Sequence, residues 1–498
     1  MSTIQELVQN QRAFFETGVT IPVSYRKEML KKLSACITKY NKEILNALHS
    51  DLNKSDFEGY VTEISIVQEE ISFTLKHLSK WAKPRKVKTP ITHFPSKSYQ
   101  YFEPYGVTLI MAPWNYPFQL TVAPLVGAIC GGNCAVLKPS NYSPATSAII
   151  KKIIEEIFPS EYVTVVEGGR DANTSLLEQH FDYIFFTGGV TVGKLVMEAA
   201  SKHLTPVSLE LGGKSPCIID ESANIDLAAK RLAWGKFINA GQTCVAPDYV
   251  LVHESVKEKL LESLTKWIKH FYQENPLENP NLPKIITQKH FERVSAFVDG
   301  SNSANGKVIF GGTTNPETRQ ICPTVLDGAT PDSPVMSEEI FGPVLPILTV
   351  KNLDEVIDFV RSRPKPLALY LFTTSKQVEN KVVSTLSYGG GCINDVIVHL
   401  ATSYMPFGGV GNSGMGAYHG KDSFTTFTHA KSILKKANWL DLPVRYPPYT
   451  EKKLKLIKKI LYTFRSNLIQ FGGLSRIPLL LQPFGSLSLK TQSSSYPG

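Results

Sequence analysis

The segment Gly241-Gln242-Thr243-Cys244 sets one thiol in a glycine-containing turn, and Glu210 stands upstream in Leu209-Glu210-Leu211-Gly212-Gly213-Lys214. A thiolate is the strongest nucleophile a side chain offers near neutral pH, and backbone amides in such a turn can stabilise the oxyanion formed when it attacks a carbonyl. Glu210 is the candidate base. The reaction these residues point to is carbonyl chemistry through a covalent thiol adduct. The other cysteines carry less: Cys130, Cys217 and Cys322 lie in apolar or Pro-flanked stretches that suit a small buried hydrophobe. Cys130 and Cys134 form CxxxC without the paired CxxC of a metal site, and no metal is expected.

Positioning a thiol and a carboxylate needs a rigid frame, and the hydrophobic pattern predicts an α/β one. From Ser24 to about Trp81, apolar residues recur at helical spacing, which predicts long amphipathic helices over Tyr25–Leu48 and Val61–Leu78. Pro84 breaks that pattern, and Val87–Phe102 reads as an extended arm or hairpin. Beyond it, short apolar runs at Gly106–Met111, Cys134–Leu137, Tyr162–Val166 and Tyr183–Phe186 alternate with helical stretches, as in a parallel sheet with crossover connections. Further strands are expected at Pro247–Val252 and Lys307–Phe310, with a long helix near Ser255–Tyr272, so a second α/β unit begins near Leu211. Phe186-Thr187-Gly188-Gly189-Val190-Thr191-Val192-Gly193 lies where a strand ends and a helix starts. It reads either as an ordinary turn or as a phosphate-facing loop.

The 498 residues suit two or three domains, and 42% hydrophobic with 19% charged residues describes a globular chain. The net charge of +9 is concentrated at the end: from Arg445 on there are nine Lys or Arg and one acidic residue, Glu451. A nearly neutral body gives no basic groove, and no nucleic-acid partner is expected. The amino terminus lacks a basic start followed by an apolar run, and seven cysteines without framework spacing suit a reducing compartment, so a cytoplasmic location is expected.

Five separated segments, Pro113-Trp114-Asn115-Tyr116-Pro117, Leu137-Lys138-Pro139-Ser140, the Glu210 segment, the Cys244 segment and Glu338-Glu339-Ile340-Phe341-Gly342-Pro343, together resemble the aldehyde dehydrogenase superfamily. Asn394-Asp395-Val396-Ile397-Val398-His399 and Pro406–Gly416 are similar to its class 3, fatty or aromatic aldehyde branch. The likeness runs from about Ser24 to Pro448. It implies a Rossmann-type cofactor domain (1–82 and 104–210), an α/β catalytic domain (211–415), a small oligomerisation arm (83–103 and 416–441) and a homodimer, with a basic tail over 445–498.

The same resemblance implies roles. Cys244 would be the nucleophile, Asn115 and the Cys244 N–H the oxyanion donors, and Glu210 the base that activates water to hydrolyse a thioester. NAD or NADP would accept hydride. Trp114, Lys138, Gly188, Gly189, Gly193, Glu339 and Phe341 would form the cofactor site. Tyr116, Leu120, Trp234, Thr243, His399 and Phe407 would line a pocket for a hydrophobic aldehyde. Two departures stand out: Asn141 replaces an acidic residue that can bind adenosine ribose, which opens the way to NADP, and Gly189 replaces a serine that donates to phosphate. The function implied is NAD(P)-dependent oxidation of medium- or long-chain aliphatic or aromatic aldehydes to acids. An acylating dehydrogenase, a thiol esterase and a non-catalytic binding protein are rivals; Glu210 argues against the first, Lys138 and Glu339 against the second.

In the tail, Leu454, Ile457, Leu461, Phe464 and Leu468 recur at helical spacing behind a lysine cluster. A basic amphipathic helix of this kind can lie on an anionic membrane surface or pack as a solvated tail, and the sequence leaves both open. Ser486–Gly498 read as disordered.

Overall fold

The computed structural model describes residues 3–299 and 303–471, so the expectation for Ser486–Gly498 lies outside the described residues. Among these, two compact units emerge: residues 3–85 with 100–299 and 303–432, and residues 86–99 with 433–471.

The first unit contains two sheets. One has six strands in the order Gly414–Met415, Val207–Leu211, Tyr183–Gly188, Val107–Met111, Cys134–Lys138, Val163–Val165, and every neighbour pair is parallel except the first. The order reverses between Val107–Met111 and Tyr183–Gly188. In an open parallel sheet such a switch point leaves a crevice at the carboxyl ends of the strands, where ligands bind. Met111, Lys138, Gly188 and Leu211 are those ends. The strands are almost wholly buried because helices cover the sheet; Gln119–Gly131 is apolar on all sides, buried throughout, and stops at Gly132 in the left-handed region (φ 94°).

The second sheet has the order Lys307–Phe310, Thr324–Asp327, Val344–Val350, Tyr249–His253, Pro216–Ile219, Ala368–Phe372, Gly390–Ile393. It is parallel but for its edge: Lys307–Phe310 runs antiparallel to Thr324–Asp327, so this strand joins the sheet by local return rather than by crossover. The helix expected beside it is present at Lys257–Tyr272.

The amino-terminal helices differ from the sequence expectation. The predicted single helix over 25–48 is two, Val23–Lys39 and Asn41–Leu52, broken at Tyr40 (ψ 13°). The second begins earlier than predicted, as Asp56–Gly59, then loosens into a π turn over Tyr60–Ile64 before continuing as Ser65–Trp81. Apolar periodicity does not encode that widened turn. Its cause is tertiary: it sits where Glu63 meets a buried lysine, described below.

In the second unit, the helix Glu451–Phe471 carries Lys452, Lys453, Lys455, Lys458 and Lys459. No helix among the described residues is long and apolar enough to cross a membrane.

Candidate active site

Cys244 follows a run of three left-handed residues, Asn239 (φ 51°), Ala240 (φ 50°) and Gly241 (φ 70°), which turns the chain sharply at the end of the helix Ile225–Phe237. A Cβ at Gly241 would lie 2.3 Å from the Gly342 carbonyl oxygen, so only glycine fits. Gln242 then pins the turn. Its Nε2 donates to the carbonyls of Asn239 and Lys284 (both 3.1 Å), and its Oε1 accepts from the Ile286 N–H (3.1 Å). Strain of this kind persists because the surroundings over-determine it.

Asn115 is brought against this turn from the carboxyl end of Val107–Met111. Its Nδ2 donates to the Gln242 carbonyl (3.0 Å), which uses one of the amide's two N–H groups. Its own carbonyl accepts from Asn239 Nδ2 (2.8 Å) and Lys54 Nζ (3.0 Å). Lys54 is fully buried, ion-paired with the equally buried Glu63 at 2.6 Å, and lies 4.0 Å over the Tyr116 ring. Glu63 Oε2 accepts from the Phe118 and Gln119 N–H groups, and Glu58 Oε1 accepts from the Asn239 N–H. Burial pushes the Glu63 carboxyl up, while Lys54 and the two N–H groups pull it back. Lys54, Glu58 and Glu63 thus position both the Asn115 loop and the cysteine turn. Sequence reading missed them because nothing local marks which charged residues between and along these helices face inward. Lys54→Met strands the Glu63 carboxyl and is expected to cost about 3–5 kcal/mol, read as a lowered urea midpoint, with Lys54→Met/Glu63→Gln recovering part of it.

The Cys244 thiol is pushed up to about 12, first by burial and then by the negative potential of Glu339 and Glu210; the N–H groups of Cys244 and Val245 oppose this. Both carboxyls therefore act on the thiol, and two backbone donors face its sulfur. Glu210 lies in the strand Val207–Leu211, 3% exposed, and neither of its carboxyl oxygens has a hydrogen-bond partner among the described residues. Burial alone drives its pKa well above the usual carboxylate range. Burial of a dry, unpaired carboxyl favours its neutral form, and the carboxylate, once formed there, is a stronger base than one in water.

Around the switch point, the helix Val190–Ser201 packs so tightly on Val207–Leu211 that a Cβ at Gly193 would lie 2.6 Å from Leu211 Cδ2. Gly189 caps this helix without a side-chain hydrogen bond, and a Cβ there would meet nothing within 4 Å. The Gly188–Gly189 turn therefore presents helix N-terminal amides to open space, as an anion requires. Lys138, buried at the end of its strand, donates to the Pro139 carbonyl (2.8 Å), and burial lowers it to about 8. Asn141 is exposed nearby, its Nδ2 3.6 Å from a Cβ built at Gly169. Glu339 packs on the bare face of Gly212, where a Cβ would lie 2.1 Å from its Oε2. Burial and then Asp248 raise it to about 8. Phe341, left-handed at φ 49°, meets the Trp114 ring edge-on at 5.4 Å.

Beside Cys244 lies a cavity of about 210 Å³. Tyr116, Leu120, Trp234, Thr243 and Phe407 line it as the sequence reading placed them, with Tyr116 and Thr243 hydroxyls 2.7 Å apart. His399 is not on this wall: its ring packs against Phe407 and Tyr370, its Nδ1 is 3.6 Å from Cys392 Sγ, and burial lowers it to about 4. The wall instead includes Tyr418 and His419, which sequence reading passed over because they follow the glycine-rich segment without a motif of their own.

A family model described as the aldehyde dehydrogenase family matches residues 2–433. The 4,4'-diaponeurosporen-aldehyde dehydrogenase of Staphylococcus aureus is 50% identical over 92% of this chain and 99% of its own. A canine (Canis lupus familiaris) aldehyde dehydrogenase named dimeric and NADP-preferring is 45% identical over 91% of this chain and 99% of its own. The substrate-bound structure of Staphylococcus aureus AldH superposes with a TM-score of 0.90, at 50% identity, over 93% of this chain and 100% of that one. On matches of this breadth, the chain belongs to the aldehyde dehydrogenase family and is an oxidoreductase that acts on aldehydes.

Proposed function

We propose that the enzyme oxidises hydrophobic aldehydes, medium- or long-chain aliphatic or aromatic, to carboxylic acids with NAD or NADP, through an adduct on Cys244 that is hydrolysed by water activated by Glu210. The observation that carries this reading is the mainly apolar cavity with the thiol in its wall and two buried carboxyls acting on that thiol. The open helix N-terminus at Gly189, the bare face of Gly212 under Glu339 and the buried Lys138 suit a dinucleotide, which would rest on these groups, on Gly188 and Gly193, and beside Trp114 and Phe341. When bound, it supplies an acceptor for hydride.

Cys244 passes its proton to solvent and, as the thiolate, attacks the aldehyde carbon through Sγ; the S–C bond forms as the C=O electron pair moves to oxygen. The remaining N–H of Asn115 Nδ2 and the Cys244 N–H receive that oxyanion. As the oxygen pair re-forms C=O, hydride leaves the carbon, and the aldehyde carbon is oxidised to a thioester. Glu210 takes a proton from water, the hydroxide adds to the thioester, and Cys244 leaves as thiolate with the acid released.

Asn141 and Gly189 shape cofactor use. The uncharged Asn141 tolerates a 2′-phosphate, in keeping with a relative named NADP-preferring. Gly189→Ser has room for its hydroxyl, and the dinucleotide Kd is expected to fall about two- to tenfold, measured by fluorescence titration. The assignment of domains given from the sequence, a cytoplasmic homodimer built on 83–103 and 416–441, and membrane-surface contact through the basic helix belong to this proposal. Co-sedimentation of the full chain with anionic vesicles tests the last.

The decisive experiment follows reduced nicotinamide absorbance with purified protein, alkanals from octanal to hexadecanal and benzaldehyde, with NAD and NADP in parallel. Reduction with the hydrophobic aldehydes supports the reading. Activity confined to short polar aldehydes, or dependent on coenzyme A, overturns it.

A further inference from the structure

His419 stands in the cavity wall on an unusual footing. It is 3% exposed and its backbone is left-handed (φ 84°), a conformation that a non-glycine residue keeps only when its surroundings enforce it. Here they do: its N–H donates to Ser423 Oγ (2.9 Å), its ring stacks on Tyr418 (centroids 4.0 Å apart), and its Nδ1 lies 3.5 Å from Glu70 Oε2. Glu70, itself 2% exposed, comes from the helix Ser65–Trp81 and is fixed in turn by the Gly420 N–H (2.7 Å) and the hydroxyls of Ser403 and Ser423 (both 3.2 Å).

Burial raises the Glu70 carboxyl, but its bond to His419, followed by those from Gly420 and Ser403, outweighs this and leaves it below the ordinary range. An ionised carboxylate only accepts hydrogen bonds, so in the neutral ring the proton sits on Nδ1 and Nε2 carries a lone pair. That Nε2 is buried and has no partner among the described residues. One face of the ring stacks on Tyr418, its Nδ1 edge meets Glu70, and the residue lines the cavity. The other buried polar groups of the wall are already matched: Tyr116 with Thr243, Tyr418 with Gln119, and the Thr62 hydroxyl with the Glu58 carbonyl.

We propose that His419 is a specificity-determining residue whose Nε2 accepts a hydrogen bond from a hydroxyl on the aldehyde's chain, with Glu70 as the positioning residue that fixes the accepting tautomer. The ligand class is hydroxylated hydrophobic aldehydes. A plain alkanal leaves Nε2 unpaired, and a site built to bond a hydroxyl discriminates against the analogue that lacks one. This rests on the aldehyde-oxidation reading above.

The test compares kcat/KM for nonanal, for 6- to 9-hydroxynonanal and for the oxononanals with the carbonyl at those same inner positions. In the wild type the best hydroxy isomer is expected to exceed nonanal by about tenfold, through KM. His419→Phe removes the unpaired nitrogen, so that preference vanishes and nonanal gains. Glu70→Gln keeps the ring but offers Nδ1 an N–H donor; the ring proton moves to Nε2, and the preference turns from hydroxy to oxo substrates. If the Phe variant does not fold, the Gln variant decides alone. A wild type with no hydroxyl preference, a His419→Phe enzyme that retains it, or a Glu70→Gln enzyme without the turn overturns the proposal. No oxidation of nonanal in the wild type would instead overturn the aldehyde reading on which it stands.

Discussion

Cys244→Ala is expected to abolish aldehyde oxidation, with kcat/KM falling at least about 10⁴-fold, because no other group in the cavity can form the covalent adduct and loss of a nucleophile removes the whole pathway rather than one contribution to it. The cavity wall keeps its shape, since alanine only deletes the sulfur. Dinucleotide titration should therefore still give saturable binding, and a variant that retained more than a few per cent of turnover would show that the thiol is not the nucleophile. The same thiol makes a second, opposite-looking statement in the wild type. Held near 12 by burial and two carboxyls, it is protonated across the working range of the empty enzyme, so its alkylation by iodoacetamide should climb with pH up to 9 without a plateau. Glu339→Gln removes the larger of the two negative potentials and should speed that alkylation above about pH 8, where the Glu339 carboxyl is ionised.

Glu210→Gln is the second large effect. A general base contributes roughly 10²–10⁴-fold, and kcat should fall by that factor while the first turnover survives. Stopped-flow measurement should show a burst of reduced dinucleotide equal to the enzyme concentration, followed by near silence; a lost burst would place Glu210 before the oxidation step instead of after it. The pH profile carries the sign. The carboxyl must lose its proton to act, and burial raises its pKa, so kcat in the wild type rises with pH through a value above the ordinary carboxylate range. Stability runs the other way. A raised folded-state value means that the group's favourable contribution is full below the unfolded pKa of about 4.3 and is lost progressively as pH climbs towards the folded value. Glu210→Gln, which never ionises, should therefore gain in Tm relative to the wild type as pH rises.

The sheets and the turn that carries the Cys244 thiol were open to reading because both depend on local patterns. Short apolar runs between helices announced the strands Val107–Met111, Cys134–Lys138 and Tyr183–Gly188, and a glycine turn before a cysteine announced the thiol. What stayed hidden depends on pairings across long stretches of chain. Lys54 reaches Asn115, Glu58 reaches Asn239 and Glu70 reaches His419, and nothing in the sequence around these charged residues distinguishes them from solvent-facing ones until the fold turns them inward. The Tyr60–Ile64 π turn was hidden for the same reason. His399 shows the converse: a histidine beside a motif was drawn into the pocket, whereas the ring lies behind Phe407.

The anchoring of the cysteine turn has a bearing on how the protein opens. Loops that carry chemistry usually belong to the least protected parts of a molecule and exchange their amide protons through small local fluctuations. Here the Asn239 amide is held by Glu58, the Ile286 amide by Gln242, and the Phe118 and Gln119 amides by Glu63, so the turn cannot loosen without releasing the amino-terminal helices. The cysteine turn and those helices behave as one cooperative block, and the turn breathes only when the helices beside it do.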